Sequence, residues 1–402
     1  MNKLLKLSIT LNAFEWYEFT IYAFLTNVIQ HVFFSNKSNI IGMIYSLAIF
    51  TISYLIRPVG SIFWGYIADK YQTATALRFS TLWMTIPTFF IGILPVSYLG
   101  VFYSPILLLF LRIIQGFAAG GELPLSGAYI YECTKNHKYC KILCSFVNIG
   151  GMFGVLLASL VVFLLYLIFN EKTITLWAWR IPFLLGLPIS FIILNIRKSM
   201  ISLKVPSGEK LSQSLFKDTL NKNFINAFLI FSFLQATFYT LIIWTPMHLE
   251  QVKLISLQYV KLNSVVSIIV LAIFSLFFAV ISNYVDYKKL MMISAISVVI
   301  FVYPLFLILL HSKYITFFVV QIIFAMLIAP IQGSYIYAFS NIFRGRAFNK
   351  CMCLSFTLPT ALFGGTAPIV CSYFVNIENI SNFPSIYLIV FGILAIPAIY
   401  FL

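Results

Sequence analysis

Apolar stretches bounded by charges or turn residues recur along the whole chain and predict twelve helical spans, at approximately 9–33, 40–64, 79–98, 104–131, 142–169, 181–196, 224–248, 262–282, 290–310, 314–340, 348–375 and 385–402. A membrane-crossing helix needs about 20 apolar residues, and a helix satisfies its own backbone groups in lipid. The pattern therefore predicts an all-α integral membrane protein with short connections and no sizeable soluble domain. Composition agrees: 61% of the 402 residues are hydrophobic and 9% are charged, against roughly 25% charged in soluble domains.

Charge sets the expected orientation. The chain carries 26 Lys and Arg against 11 Asp and Glu, a formal net charge of +15. In a soluble protein such basicity would suggest nucleic-acid binding, but almost no polar surface is left to track phosphates, so no nucleic acid is expected. The positive-inside rule is the better account. With the N-terminus in the cytoplasm, eighteen Lys and Arg fall on that side, six of them in 197–222, while Lys37, Lys172, Lys253 and Lys313 fall on the other. An even number of spans puts both termini inside. Lys3 and Lys6 ahead of an apolar run resemble a signal peptide, yet Glu15 and Glu18 interrupt that run and make it a retained first helix. Cys133, Cys140, Cys144, Cys351 and Cys353 are expected as free thiols facing the reducing cytosol. Cys351-Met-Cys353 lacks zinc-ligand spacing, and no metal or cofactor is expected.

The longest polar stretch divides the spans six and six. It predicts an N-terminal six-helix bundle (1–196), a cytoplasmic linker (197–223) and a C-terminal six-helix bundle (224–402). Gly65 to Asp69 matches Ser282 to Asp286, Ala128-Tyr-Ile-Tyr matches Ser334-Tyr-Ile-Tyr, and Gly150-Gly151 matches Gly364-Gly365, all at offsets near half the chain. Two pseudo-symmetric bundles around a central site are the architecture of a secondary transporter.

Ionisable residues inside the membrane are costly and functional by default. In the first span Asn12, Glu15, Glu18, Tyr22 and Thr26 recur at steps of three and four, which puts both carboxylates on one helix face. Ser53, Arg57 and Ser61 form a second stripe, and Arg112, Gln115, Ala119, Glu122 and Ser126 a third. Three such faces imply a shared cavity; static ion pairs that glue helices are the plainer alternative. Glu15, Glu18 and Glu122 outnumber the embedded cations Arg57 and Arg112, leaving one acid suited to carry a proton. All three are candidates for proton coupling, and the pairing of acids with arginines stays open. The second half offers Ser232, Gln235, Tyr239, Trp244, Gln321, Gln332, Tyr335, Thr357 and Thr360 instead, a face suited to a polar or zwitterionic solute. Lys261 is expected to snorkel to the outer interface. Trp177 and Trp179 read as interfacial belt residues, whereas Trp16, Tyr22 and Tyr239 are placed to hold an ammonium group by cation–π attraction. Gly116, Gly120, Gly121, Gly150, Gly151 and Gly154 are expected to permit close helix contact. Pro359, Gly364, Gly365 and Pro368 mark a helix that can bend.

Gly65-Tyr-Ile-Ala-Asp69-Lys70-Tyr71 resembles the loop between the second and third spans of the major facilitator superfamily. Phe14-Glu-Trp-Tyr-Glu-Phe19, Arg57-Pro-Val-Gly60, Gln115-Gly-Phe-Ala-Ala-Gly-Gly-Glu122, Trp177-Ala-Trp-Arg-Ile-Pro-Phe183 and Leu362-Phe-Gly-Gly-Thr-Ala-Pro368 resemble its metabolite:proton symporter family, whose members carry proline/betaine, α-ketoglutarate, citrate and shikimate. The resemblance implies the major facilitator fold and a multi-pass bacterial inner-membrane protein that works by alternating access. Members usually continue the loop with Gly and a basic pair. Here Gln72-Thr-Ala-Thr-Ala-Leu-Arg78 follows, leaving Gly65, Asp69, Lys70 and Arg78, with Asp286 of the reduced second copy, for any gate. Glu18 stands where the family usually has Asp. Regulation by a coiled-coil tail is not expected, since none follows the twelfth span.

The expected activity is proton-driven import of a small zwitterion such as proline or betaine, by a monomer in the bilayer and not by an enzyme. The solute carboxylate would approach Arg57 or Arg112 beside Gln115. Its ammonium would meet the carboxylates and the aromatics Trp16, Tyr22 and Tyr239, and Gln235 is a further candidate for substrate binding. A dicarboxylate:proton symporter and a transport-inactive paralogue acting as a receptor are the alternatives.

Overall fold

A computed structural model of the chain describes residues 2–35, 37–134, 137–198, 200, 222–252, 257–282, 284–310, 314–342 and 348–402. Most of the 197–223 linker lies outside these residues. Every regular element among the described residues is helical, and the helices join end to end into twelve passes: 2–33, 39–71, 73–92, 96–133, 137–168, 171–198, 222–252, 257–281, 287–310, 314–342, 348–376 and 383–400. Ten helical stretches among the described residues are long and apolar enough to cross a membrane. The first pass, which carries Asn12, Glu15 and Glu18, and the Thr-rich third pass fall short of that apolarity.

Two expectations about the ends of passes are corrected. The Gly65–Tyr71 segment is no loop: the helix Arg57–Tyr71 runs through it, and the chain reverses at Gln72 alone. Gln72 adopts φ 95° and ψ 143°, in a region that glycine enters freely and other residues rarely do. The sixth pass also runs past residue 196, its last helix being Arg180–Lys198, so Arg197 belongs to a helix and not to a loop.

Several passes are broken where the chain offers a reason. The second breaks at Ile56, just ahead of Pro58, and the fourth at Gly120 and Gly121. The expected bend in the eleventh pass is a π-helical turn, Thr360–Gly364. A second π turn, Tyr239–Trp244, interrupts the seventh pass. Its displaced carbonyls find partners: Gln321 Nε2 donates to Leu241 O at 2.7 Å and Thr245 Oγ1 to Thr240 O at 2.8 Å, as a π turn requires. A third, Ile174–Ala178, turns Trp179 inward. That residue is therefore no belt residue. It is 1% exposed and packs edge-on to Phe33 and Phe183, while Trp177 stays half exposed.

Glycine seams hold the charged passes together. A Cβ on Gly116 or Gly120 would overlap the carbonyl oxygens of Ser53 and Arg57, and one on Gly150 or Gly154 those of Ile9 and Ala13. The fourth pass is thus pressed onto the second, and the fifth onto the first, bringing their polar stripes into one interior.

The first six passes meet the last six at three depths. Toward the C-terminal ends of the first and seventh passes, Lys261 Nζ donates to Phe24 O at 3.0 Å. At mid-depth Thr51 Oγ1 donates to Gly365 O and Tyr239 OH to Tyr54 OH, both at 2.8 Å. Toward the side of Gln72, Ser61 Oγ lies 3.2 Å from Thr357 Oγ1. There Asn148 Nδ2 donates to Gln332 O at 2.6 Å and Tyr335 OH to Asn148 Oδ1 at 2.9 Å.

Candidate transport site

The open question of pairing has a definite answer in the structure. Arg57 Nη1 lies 3.0 Å from Glu15 Oε1, both side chains 2% exposed. Glu122 pairs with Arg197, through Nη2 to Oε2 at 2.7 Å and Nη1 to Oε1 at 3.0 Å. Ser80 Oγ donates to Glu122 Oε1 at 2.5 Å, Thr81 Oγ1 gives its proton to Leu77 O at 2.8 Å, and Arg197 Nη1 also donates to Leu77 O and Thr81 Oγ1. Glu122 opens the helix Glu122–Cys133, where free amides and the helix dipole favour a negative charge. The expected acid excess disappears once Arg197 is counted: Glu15, Glu18 and Glu122 face Arg57, Arg112 and Arg197. The missed signal was length. A span of 181–196 is short against the about 20 residues a bilayer needs, and one more turn takes in Arg197.

Glu18 and Arg112 remain, and they are not in contact as a pair. Arg112 is fully buried; its Nη1 donates to Gln115 Oε1 at 2.9 Å and its Nη2 to Ser53 Oγ at 3.0 Å. Glu18 is 0% exposed, and neither carboxyl oxygen has a hydrogen-bond partner among the described residues. Thr88 and Gly186 lie beside it, but the Thr88 hydroxyl proton goes to Met84 O at 2.9 Å while its oxygen accepts from Gln115 Nε2 at 2.5 Å.

The aromatic cage already holds cations of the protein itself. The Arg57 guanidinium lies 4.0 Å from the Phe19 ring centre and 4.2 Å from that of Tyr54, and the Arg112 guanidinium 4.4 Å from Tyr22 and 4.9 Å from Phe19. Tyr22 donates to Ser46 O at 3.0 Å. Of the residues proposed to contact solute, Trp16 and Gln235 line a cavity between the two sets of passes, together with Asn148, Gly151, Gln332, Tyr335 and Phe356. Arg57, Arg112, Gln115 and Tyr22 form the charged layer within the first six passes, and Tyr239 bridges to Tyr54. Neither Asn148 nor Tyr54 stood out in the sequence, because each acts through a partner more than 180 residues away.

The proposed gate residues are dispersed. Arg78 donates to the carbonyls of Arg197, Lys198 and Met200 at 3.1–3.3 Å, closing the end of the sixth pass, a common use of a cation there. Lys70 is exposed beside the rings of Tyr66 and Tyr71. Asp286 Oδ1 accepts from Lys288 N at 3.1 Å, starting the ninth pass. Gly65 has open space where a Cβ would stand, and the Asp69 side chain lies outside the described residues. Lys261 does not snorkel: it is 4% exposed and paired with Glu250 at 2.6 Å, since a cation buried between passes is retained by a counter-charge.

Among the described residues, helical passes enclose buried charges beside a cavity between two sets of helices, the architecture of a secondary transporter. The chain belongs to the Major Facilitator Superfamily, whose family model matches residues 14–364. A protein of Staphylococcus haemolyticus (strain JCSC1435), provisionally named a proline/betaine transporter, is 28% identical over 397 residues, 95% of this chain and 83% of that one. The glycine betaine/proline/ectoine/pipecolic acid transporter of Dickeya dadantii (strain 3937) is 26% identical over 407 residues, 96% of this chain and 80% of that one. A crystal structure of a D-xylose–proton symporter superposes with a TM-score of 0.79 at 16% identity, covering 99% of this chain and 96% of the other. That likeness establishes the fold.

Proposed function

We propose that the chain is a proton-coupled symporter that imports a small zwitterion of the proline/betaine kind by alternating access between bundles 1–196 and 224–402. The observation that carries the reading is Glu18, a carboxyl buried without a single hydrogen bond among the described residues. An ionised carboxylate left that way costs several kcal/mol, whereas the protonated group is far less penalised. Glu15 and Glu122 are each bound to an arginine, so Glu18 is the acid best fitted to take and release a proton as its surroundings change. Arg112, whose guanidinium has no carboxylate within ion-pair distance among the described residues, is available to a solute carboxylate.

The solute would enter between Trp16 and Gln235 as the bundles part, since the cavity as it stands has room for about one water molecule. Names of relatives support the proline/betaine class. The contacts at three depths would break in turn: Lys261 to Phe24 for access from one side, Ser61 to Thr357 and Asn148 to Tyr335 for access from the other. The basic loops face the cytoplasm in this reading, with both termini inside a bacterial inner membrane and the monomer as the working unit. Purified protein in proteoliposomes tests it. Labelled proline and glycine betaine, with α-ketoglutarate as comparison, are expected to accumulate only under an inward proton gradient. Accumulation independent of that gradient, or of α-ketoglutarate alone, would refute the reading.

A further inference from the structure

The Glu15–Arg57 pair has a third member. Asn12 is 1% exposed, and a single orientation of its amide matches donors with acceptors: the nitrogen donates to Glu15 Oε2 at 2.9 Å and the oxygen accepts from Trp16 Nε1 at 3.1 Å. Trp16 lines the cavity, and Glu15 holds Arg57. A continuous set of bonds therefore runs from the cavity wall to the ion pair. Gly151, also on the cavity wall, leaves the room for it. A Cβ there would stand 2.9 Å from the Trp16 ring and 3.1 Å from the Asn12 amide oxygen that accepts from it.

We propose that Asn12 is a positioning residue that transmits cavity occupancy to the Glu15–Arg57 pair. The proposal rests on the cavity being the solute site. An amide can accept from an indole and donate to a carboxylate at once. A solute seated against Trp16 shifts the indole, the amide follows, and its grip on Glu15 Oε2 weakens. Glu15 then depends on Arg57 alone. Leucine at position 12 keeps the volume and ends both bonds.

The test uses the full chain in proteoliposomes, with labelled proline and glycine betaine in gradient-driven uptake and in counterflow without a gradient. Asn12→Leu and Trp16→Phe are each expected to lower the maximal rate of driven uptake about tenfold, the size of one lost charge-assisted bond. For Asn12→Leu, half-saturation in counterflow should move by less than about twofold, which separates coupling from binding. The double variant should be no slower than the worse single one, because the set of bonds is broken only once. If either variant fails to fold, Gly151→Ala, which displaces both side chains while removing no polar group, is read by the same criteria. An unchanged maximal rate, a change in half-saturation alone, or additive losses would overturn the proposal. Wild-type protein that takes up neither solute in either assay removes the functional reading and the proposal with it. Normal wild-type uptake matched by Asn12→Leu removes the proposal only.

Discussion

Glu122 and Glu18 are both glutamates 0–2% exposed inside the first six passes, yet their surroundings are opposite. Glu122 takes two bonds from Arg197 and a hydroxyl bond from Ser80, and it stands at the N-terminal end of a helix. Glu18 takes none among the described residues. A charge so fully neutralised and bonded is a fastener, since moving it would strand Arg197 in the interior. A protonated carboxyl without partners breaks no bond when it moves toward water, where it can release its proton at little cost. The same residue type thus serves two ends, and the neighbours decide which.

The largest expected effect lies on the fastener. Arg197→Ala leaves Glu122 buried with a hydroxyl partner only, and breaking one side of such a pair costs about 3–5 kcal/mol. A marked fall in melting temperature in detergent is expected. The apolar double variant Glu122→Leu/Arg197→Met should recover most of it, because well-packed hydrophobic replacements of buried pairs are often neutral. An Arg197→Ala protein that melts like the wild type would erase the contrast between the two glutamates.

The next effect tests what the fastener holds. Gln72 joins the second pass to the third, whose Leu77, Ser80 and Thr81 reach the Glu122–Arg197 pair. Its φ of 95° is a conformation that costs a non-glycine residue about 1–3 kcal/mol. Gln72→Gly is expected to raise stability by about 1 kcal/mol, the greater freedom of glycine in the unfolded chain offsetting part of the relief. A melting temperature unchanged or lowered would mean that the turn is not strained.

These pairs mark where sequence reading stops. The spacing of Glu15, Glu18, Arg57 and Arg112 fixed which helix face each occupies, and the structure does bring those faces together. Spacing along one helix cannot say which side chain of another helix it meets, so the pairings of Glu15 with Arg57 and Glu122 with Arg197 were not legible. Arg197 itself was hidden by a span drawn one turn short. The bend at Thr360–Gly364 was announced by the prolines and glycines in and around it, whereas the π turn at Tyr239–Trp244 has only Pro246 after it and no glycine. It depends on Gln321, 80 residues away. Trp179 misled for the same kind of reason: a π turn one step earlier rotates it from the lipid side to the interior. Local chemistry was readable, and what depends on a distant partner was not.

Glu18→Met carries the smallest expected effect on stability and the most decisive one on coupling. A neutral carboxyl that makes no hydrogen bond contributes no bond to lose, and methionine of similar length fills irregular apolar space. The melting temperature should therefore stay within the equivalent of about 1 kcal/mol of wild type, or rise. Counterflow of labelled proline or glycine betaine should persist, because exchange needs no net proton movement, while accumulation under an inward proton gradient should vanish. The opposite pattern, a strongly destabilised protein that still accumulates solute, would make Glu18 a second fastener and leave the proton to Glu15. Its neighbour lies one turn away on the same helix face, so the two outcomes separate residues that position in the sequence cannot.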